Sequence, residues 1–329
     1  MTISITVVEN SQALTPFDQA LNSARRYANA SRASSTWRAY ESDIARFQQW
    51  CTSVNRPSLP ADTDTVAAFL ASEADAGKAV STIRRRLAAI RLLHIANDLP
   101  SPHESLQVTE VLQGIAREKR DRPVRQAKPA LEADIKALVD AIDLTSLAGL
   151  RDRALLLVGF DSAMRRSELV GMDVEHIDRQ DRGLLINIPS SKTDQTGFGQ
   201  QTAVDSRAES PYCPVVALDV WLKAASIEKG AVFRRLYRQH RLGSERLGDR
   251  SVSLILKRRV KAAGFPNGAE KQFSGHSLRR GLITSVIKSG APLLPVIHHA
   301  RHKKTDSVIG YFQSVSLLHD HPGNMLFNK

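Results

Sequence analysis

Residues 154–169 read ALLLVGFDSAMRRSEL, and the fold turns on this stretch. Its first part, 154–160, is almost fully apolar and predicts a helix buried on all sides. Directly after it, Ala163-Met164-Arg165-Arg166-Ser167-Glu168-Leu169 brings two arginines and a glutamate together. Upstream, Leu131, Ile135, Leu138, Val139 and Ile142 recur at three- and four-residue steps, the spacing of one helix face. Downstream, Gly183-Leu184-Leu185-Ile186-Asn187-Ile188 reads as a strand ending at Pro189, residues 190–201 as a polar turn, and 202–205 as a weaker second strand. Helices are expected again near 215–225, 251–263, 277–288 and 292–299. A small hairpin in an otherwise helical body is the result.

The first third obeys the same helical rule. Trp37, Tyr40, Ile44, Phe47 and Cys51 share a face after the start signal Ser34-Ser35, with Arg38, Asp43 and Gln48 off it. A second helix after Asp62 turns Val66, Phe69 and Leu70 inward. A third after Ser81 does so with Ile83, Leu87, Ile90 and Leu93, and a fourth over 104–118 with Val108, Val111, Leu112 and Ile115. On the third, Arg84, Arg85 and Arg91 point away from the apolar stripe, either toward a DNA backbone or groove or simply into solvent. The period then stops. Residues 119–130, KRDRPVRQAKPA, hold five basic residues, one acid and two prolines, and read as an extended basic linker, suited to a clamp closing on a duplex or to an exposed tether.

The 329 residues carry 46 Lys+Arg against 34 Asp+Glu, a formal net charge of +12. At about 150 residues per domain this length predicts two domains, and 42% hydrophobic content suffices for a core in each and excludes wholesale disorder. Cys51 and Cys213 stand far apart, so neither a disulfide scaffold nor a cysteine-ligated metal cluster is expected within one subunit, and a reducing cytoplasm is the expected location. The opening MTISITVVENSQALTPFDQA has no basic head before an apolar run, and no apolar stretch reaches the roughly 18 residues of a membrane span. A cationic surplus favours a polyanionic partner, most often nucleic acid, because neutralising phosphates releases condensed counterions. It is densest between Arg234 and Lys261, where Arg234, Arg235, Arg238, Arg241, Arg246, Arg250, Lys257, Arg258, Arg259 and Lys261 face only Glu245 and Asp249. Such density points to phosphate contact, since a solvated face usually interleaves both signs.

Four separated signals belong together: Arg165 with Glu168 after the buried helix, Lys192 in the hairpin turn, His276-Ser277-Leu278-Arg279 opening a helix, and His302 followed nine residues later by Tyr311. The order Arg, Lys, H-x-x-R, His, Tyr resembles the active-site pattern of the tyrosine recombinase (phage integrase) family. The resemblance extends over nearly the whole chain and is most specific in the second half. It implies a mainly α fold: a helical amino-terminal core-binding domain over 11–118, the basic linker over 119–130, and a mostly α catalytic domain over 131–329 with a small β-hairpin or sheet (α+β). Carried over by position, it implies that Arg165 and Arg279 bind the scissile phosphate, that Lys192 is the hairpin lysine, that His276 and His302 are the two site histidines, and that Tyr311 is the nucleophile. Glu168 takes the place of the acid that orients the site.

The chemistry explains each residue type. Attack on a phosphodiester builds negative charge on the non-bridging oxygens, which two permanently charged guanidiniums hold by paired hydrogen bonds. A phenol with a pKa of about 10 needs a base or a strong field at neutral pH, and His276 is the candidate base. Lys192 is the candidate acid for the leaving 5′ oxygen, with His302 on the phosphate, although the division of acid and base roles among Lys192 and the histidines stays open. The 3′-phosphotyrosyl intermediate keeps the diester's bond energy, so another strand's 5′ hydroxyl can reseal it. No cofactor and no metal are expected. A nucleotide-binding G-x-x-x-x-G-K-[ST] loop, a paired-carboxylate nuclease arrangement and a G-x-S-x-G elbow are all missing, and His298 and His302, spaced i, i+4, lack a third zinc ligand.

Two places depart from the family's usual wording: Arg301 stands before His302 where many members have glycine, and Ala163-Met164 where Gly-Leu is common. After Tyr311, the apolar residues Leu317, Leu318, Met325, Leu326 and Phe327 are too few for a domain. The resemblance implies a tail that packs on a neighbouring protomer, the other possibility being its own domain. The expected partner is double-stranded DNA with specific target sites, engaged by a homotetramer on paired sites that is monomeric or weakly associated without DNA. The expected location is the cytoplasm, with the nucleoid, and no membrane. The rival readings are a type IB topoisomerase or telomere-resolvase-like enzyme, and a non-catalytic DNA-binding regulator on the same fold.

Overall fold

The computed structural model describes residues 15–31, 33–120, 127–189, 199–237 and 241–301. The fold is mainly α, and the chain divides into two compact units, Met1–Val124 and Arg125–Lys329.

The first unit contains α1 (Pro16–Ala30), α2 (Ser34–Ser53), α3 (Thr63–Asp75), α4 (Val80–Ile95) and α5 (Leu106–Glu118). Its core gathers Phe47, Cys51, Val66, Phe69, Leu70, Ile83, Leu87, Ile90, Val108 and Ile115, the faces that helical spacing turns inward. Phe47 meets Phe69 edge-on, ring centroids 5.0 Å apart, a geometry that aligns ring edge with ring face. Helix α1 is an addition to the helices expected from the sequence, although Phe17, Leu21, Ala24 and Tyr27 recur at helical spacing. A local device starts it: Asp18 Nα–H donates to Thr15 Oγ1 at 3.1 Å and Thr15 N–H donates to the Asp18 carboxylate at 3.0 Å, a reciprocal cap.

Asp43, expected off the apolar face of α2, is instead buried at 3% exposure. Arg85 donates to it twice, at 2.7 and 3.0 Å, and Arg86 lies 3.4 Å away. Glu73 on α3 is equally buried and takes Arg46 and Arg86. A buried carboxylate is tolerated only when paired and hydrogen-bonded, so these two acids and three arginines lock α2, α3 and α4 together. Buried His94 adds a further tie: Nδ1 donates to the Ile90 carbonyl at 2.9 Å, and Nε2 accepts from Ala61 N–H at 3.0 Å.

The second unit contains α6 (Glu132–Asp140), α7 (Leu147–Asp161), α8 (Arg166–Gly171), β1 (Ile177–Gln180), β2 (Gly183–Ile188), β3 (Gln200–Asp205), α9 (Pro214–Ala224), β4 (Arg234–Leu236), β5 (Leu242–Arg246), α10 (Asp249–Ala262), α11 (Ser277–Lys288) and α12 (Leu293–Ala300). Helix α7 is the apolar helix, with Ala154, Leu155, Leu156, Leu157 and Val158 all buried, and it packs on α9 and α11. The hairpin β2–β3 is present, with Leu184 opposite Val204 and Ile186 opposite Thr202. It belongs to a three-stranded antiparallel sheet of order β1-β2-β3, because Ile177-Asp178-Arg179-Gln180 adds an edge strand whose charged residues leave no alternating apolar signal. The arginine-rich stretch after residue 233 likewise forms a second two-stranded hairpin, β4–β5.

Two close approaches place the helices that carry the site. A Cβ on Gly159 of α7 would lie 2.8 Å from Leu169 and 2.9 Å from Leu278, so the missing side chain lets α8 and α11 seat on α7. The end of the expected linker is part of this unit: Lys128 N–H donates to the Gln272 carbonyl at 2.8 Å and Ala130 N–H to the Ser277 carbonyl at 2.9 Å. Gly281 of α11 faces Ala130 so closely that a Cβ there would fall 1.8 Å from the Ala130 carbonyl oxygen. Among the described residues no helix is long and apolar enough to cross a membrane.

Candidate active site

Helix α7 ends at Asp161 with Ser162 as its C-cap, and the chain turns sharply at Ala163, whose φ is +48°. Ser162 anchors this turn: its carbonyl accepts from buried Thr202 on β3 at 2.9 Å, and its hydroxyl accepts from Met164 N–H at 3.3 Å. Arg165 follows as the N-cap of α8, where a carboxylate three residues on can serve the exposed backbone donors. Glu168 does so, accepting from Arg165 N–H at 2.9 Å on one oxygen and from Arg165 Nη1 at 2.6 Å on the other. The sequence motif thus folds back on itself, with the acid beneath the arginine it orients.

Arg279 arrives from α11, 116 residues after Ala163, and donates from Nη1 to the Ala163 carbonyl at 2.8 Å and from Nη2 to the Ala300 carbonyl. His276 opens α11 as its N-cap and is exposed. Its turn is held by Ser253 Oγ of α10, which accepts from Gly275 N–H at 2.8 Å, and by Ser277 Oγ, which accepts from Ser274 N–H at 2.9 Å. The structure therefore brings Arg165, Glu168 and Arg279 to one place. Lys192, His302, Tyr311 and the tail after it lie outside the described residues.

Arg301 is a member of this cluster that sequence reasoning registered only as a departure from the family pattern. Its guanidinium donates to Glu168 at 3.1 Å, and it lies in contact with the same turn that Arg279 grips. The available signal was a cation standing where a glycine is usual. Burial alone would raise the pKa of Glu168. The hydrogen bonds from the Arg165 backbone and guanidinium, with the charges of Arg165 and Arg301, reverse that and hold its carboxyl below the ordinary value. For Arg301, burial pushes the guanidinium down while Glu168 acts in the opposite direction. His299, which neighbours this segment, donates from Nε2 to the Asp161 carbonyl at 2.7 Å.

The arginines expected at DNA have different environments. Arg84 and Arg91 are exposed on α4, whereas Arg85, although 47% exposed, is paired with Asp43. Arg241 is exposed, with its guanidinium 5.8 Å from the centre of the Tyr237 ring. Arg258 and Arg259 both bond Asp152, each at 2.7 Å, but Arg258 is 58% exposed and Arg259 only 14%. Arg259 is thus held within the fold by its pairing with Asp152. Elsewhere in the basic stretch Arg235 pairs with Glu245, and Arg246 with Asp173 and the Val170 carbonyl, so part of its charge is balanced within the fold.

Comparison with known proteins follows the same division. Residues 130–316 match the phage integrase family, and residues 15–96 match the phage integrase N-terminal SAM-like domain. The integrase/recombinase xerD homolog of Selenomonas ruminantium is 36% identical over 309 residues, covering 93% of this chain and 89% of that protein. Recombinase cre of Escherichia phage P1 is 24% identical, covering 85% and 84%. Among solved structures, the XerH site-specific recombinase bound to palindromic difH substrate in a post-cleavage complex aligns with a TM-score of 0.61 at 14% identity, over 88% of this chain and 79% of that one. A lambda integrase dimer bound to a COC′ core site aligns at 0.58 and 18%, over 92% and 81%. With a match over most of the catalytic half and a close relative along nearly its full length, the chain belongs to the phage integrase family.

Proposed function

We propose that this protein is a site-specific DNA recombinase, cutting and rejoining DNA through a 3′-phosphotyrosine intermediate formed on Tyr311. The observation that carries the reading is the convergence of Arg165 and Arg279 on the Ala163 turn, Arg279 reaching it from 116 residues further along the chain, with Glu168 orienting Arg165. Two guanidiniums suit a phosphodiester whose non-bridging oxygens gain charge during attack, and their permanent charge needs no proton transfer. In this reading His276 at the mouth of α11 accepts the phenolic proton or binds phosphate, Lys192 protonates the leaving 5′ oxygen, and His302 supports the phosphate. The exposed Arg84, Arg91, Arg241 and Arg258 contribute phosphate contacts, and Arg85 does so from its pairing with Asp43. Four protomers acting on two paired sites, in the cytoplasm with the nucleoid, complete the proposal.

The test is a nicked duplex that strands the enzyme as a covalent adduct, followed by sequencing of the attached strand. Wild type is expected to yield a 3′-linked adduct and Tyr311→Phe none, with DNA binding retained, because one oxygen is lost and little packing. The adduct should persist in chelator. An adduct that survives Tyr311→Phe would overturn the nucleophile, and supercoil relaxation without exchange between two sites would favour the topoisomerase reading.

A further inference from the structure

Arg301 ends α12 with φ +53°, in the left-handed region where an L side chain is strained and glycine is favoured. A large cation kept in that conformation must be justified by what its side chain reaches. The side chain is only 5% exposed. Its Nη1 donates to the His299 carbonyl at 3.1 Å and approaches the Ser162 carbonyl at 3.4 Å, while Nη2 donates to Glu168 at 3.1 Å and approaches the Ala163 carbonyl at 3.4 Å. Ala163 has a left-handed φ as well, so two strained turns face each other and one guanidinium joins them.

We propose that Arg301 is a positioning residue for strand cleavage, fixing Glu168, and through it the guanidinium of Arg165, against the turn that Arg279 also grips. The inference rests on the phosphate-binding roles proposed for Arg165 and Arg279. Glu168 uses one oxygen for Arg165 Nη1, while the other serves Arg165 N–H and Arg301 together. With Arg301 removed, the second oxygen keeps a single neutral donor and the carboxylate can rotate, taking Arg165 with it. The planar fork matters because it spans a carboxylate and several carbonyls at once, which the point charge of a lysine cannot do. The Arg301 guanidinium is spent on the His299 carbonyl and on Glu168, so its influence passes through these neighbours.

The experiment measures single-turnover adduct formation and DNA affinity for the full chain on a nicked duplex carrying its own recombination site. Arg301→Gly suits the left-handed backbone while removing the guanidinium. It is expected to slow cleavage by about 10²-fold, the scale of an ångström-sized misplacement of a reacting group, with the DNA dissociation constant unchanged. Arg301→Lys should recover part of the rate, and Arg301→Gly combined with Glu168→Gln should be no slower than the slower single variant. Wild-type cleavage by Arg301→Gly, multiplying losses in the double variant, or equal losses in affinity and rate would each overturn the proposal. If Arg301→Gly does not fold, Arg301→Lys decides: unimpaired cleavage overturns the role, and slowed cleavage at unchanged affinity supports it. Arg165→Ala, run alongside, reads the underlying assignment separately, since normal cleavage by that variant strikes the phosphate clamp itself.

Discussion

Asp152 and Glu168 are both buried carboxylates ringed by arginines in the second unit, and they do different work. Asp152 is fully buried, takes Arg151 on one oxygen and Arg258 and Arg259 on the other, and so bolts α7 to α10. Glu168 takes Arg165 and Arg301, each of which sits at a helix end beside a turn rather than within a helix. The same ion-pair chemistry holds a scaffold in one place and aims side chains in the other. The difference lies in what the arginines are attached to: two neighbouring helices at Asp152, and two strained turns at Glu168.

Changing each acid should separate the two roles. Asp152→Ala leaves buried guanidiniums without their carboxylate, and chemical denaturation should show a loss of about 3–5 kcal/mol in the second unit. Glu168→Gln should slow adduct formation by about 10²-fold, or about 2.7 kcal/mol in barrier, with a smaller loss of stability, because the amide keeps an acceptor for Arg165 N–H. If Glu168→Gln proves mainly destabilising and Asp152→Ala mainly slow, the contrast is reversed. Acid sharpens it further. Folding lowers the pKa of Glu168, so its contribution is fully present above the ordinary glutamate value of about 4.3 and is lost as the pH falls through the lower folded value. The stability gap between wild type and Glu168→Gln should therefore be constant near neutrality and close in that acid range.

Gly159→Ala tests the seating of α8 and α11 on α7. Its Cβ would press on Leu169 and Leu278, and the expected cost is about 1–3 kcal/mol with cleavage reduced as α8 and α11 shift. The smallest effect belongs to Arg258→Ala, where the exposed guanidinium should lower the slope of DNA affinity against salt by about 1 if it meets a phosphate. An unchanged slope would assign Arg258 wholly to Asp152.

Helices with a clean apolar stripe were legible from the residues, as were the all-round burial of α7 and the order of the site motifs. What escaped had physical reasons. Helix α1 carries an apolar stripe, Phe17, Leu21, Ala24 and Tyr27, but leaves Phe17 and Tyr27 exposed rather than packed in the core of its unit. Strand β1 is an edge with one partly buried residue, and β4–β5 is written largely in arginine. Asp43 looked like a surface acid because its partner Arg85 comes 42 residues later, a pairing that periodicity cannot reveal. Arg165, Glu168 and Arg279 were found by spacing within a family pattern. The part played by Arg301 was not, because it depends on two left-handed turns meeting in space.

The docking of residues 128–130 along α11 has a mechanical consequence. Ala130 is bonded at Ser277 and lies against Gly281, on either side of Arg279 in the sequence. These bonds tie the chain entering this unit to the helix that carries Arg279, so a displacement of residues 128–130 would be transmitted to that helix.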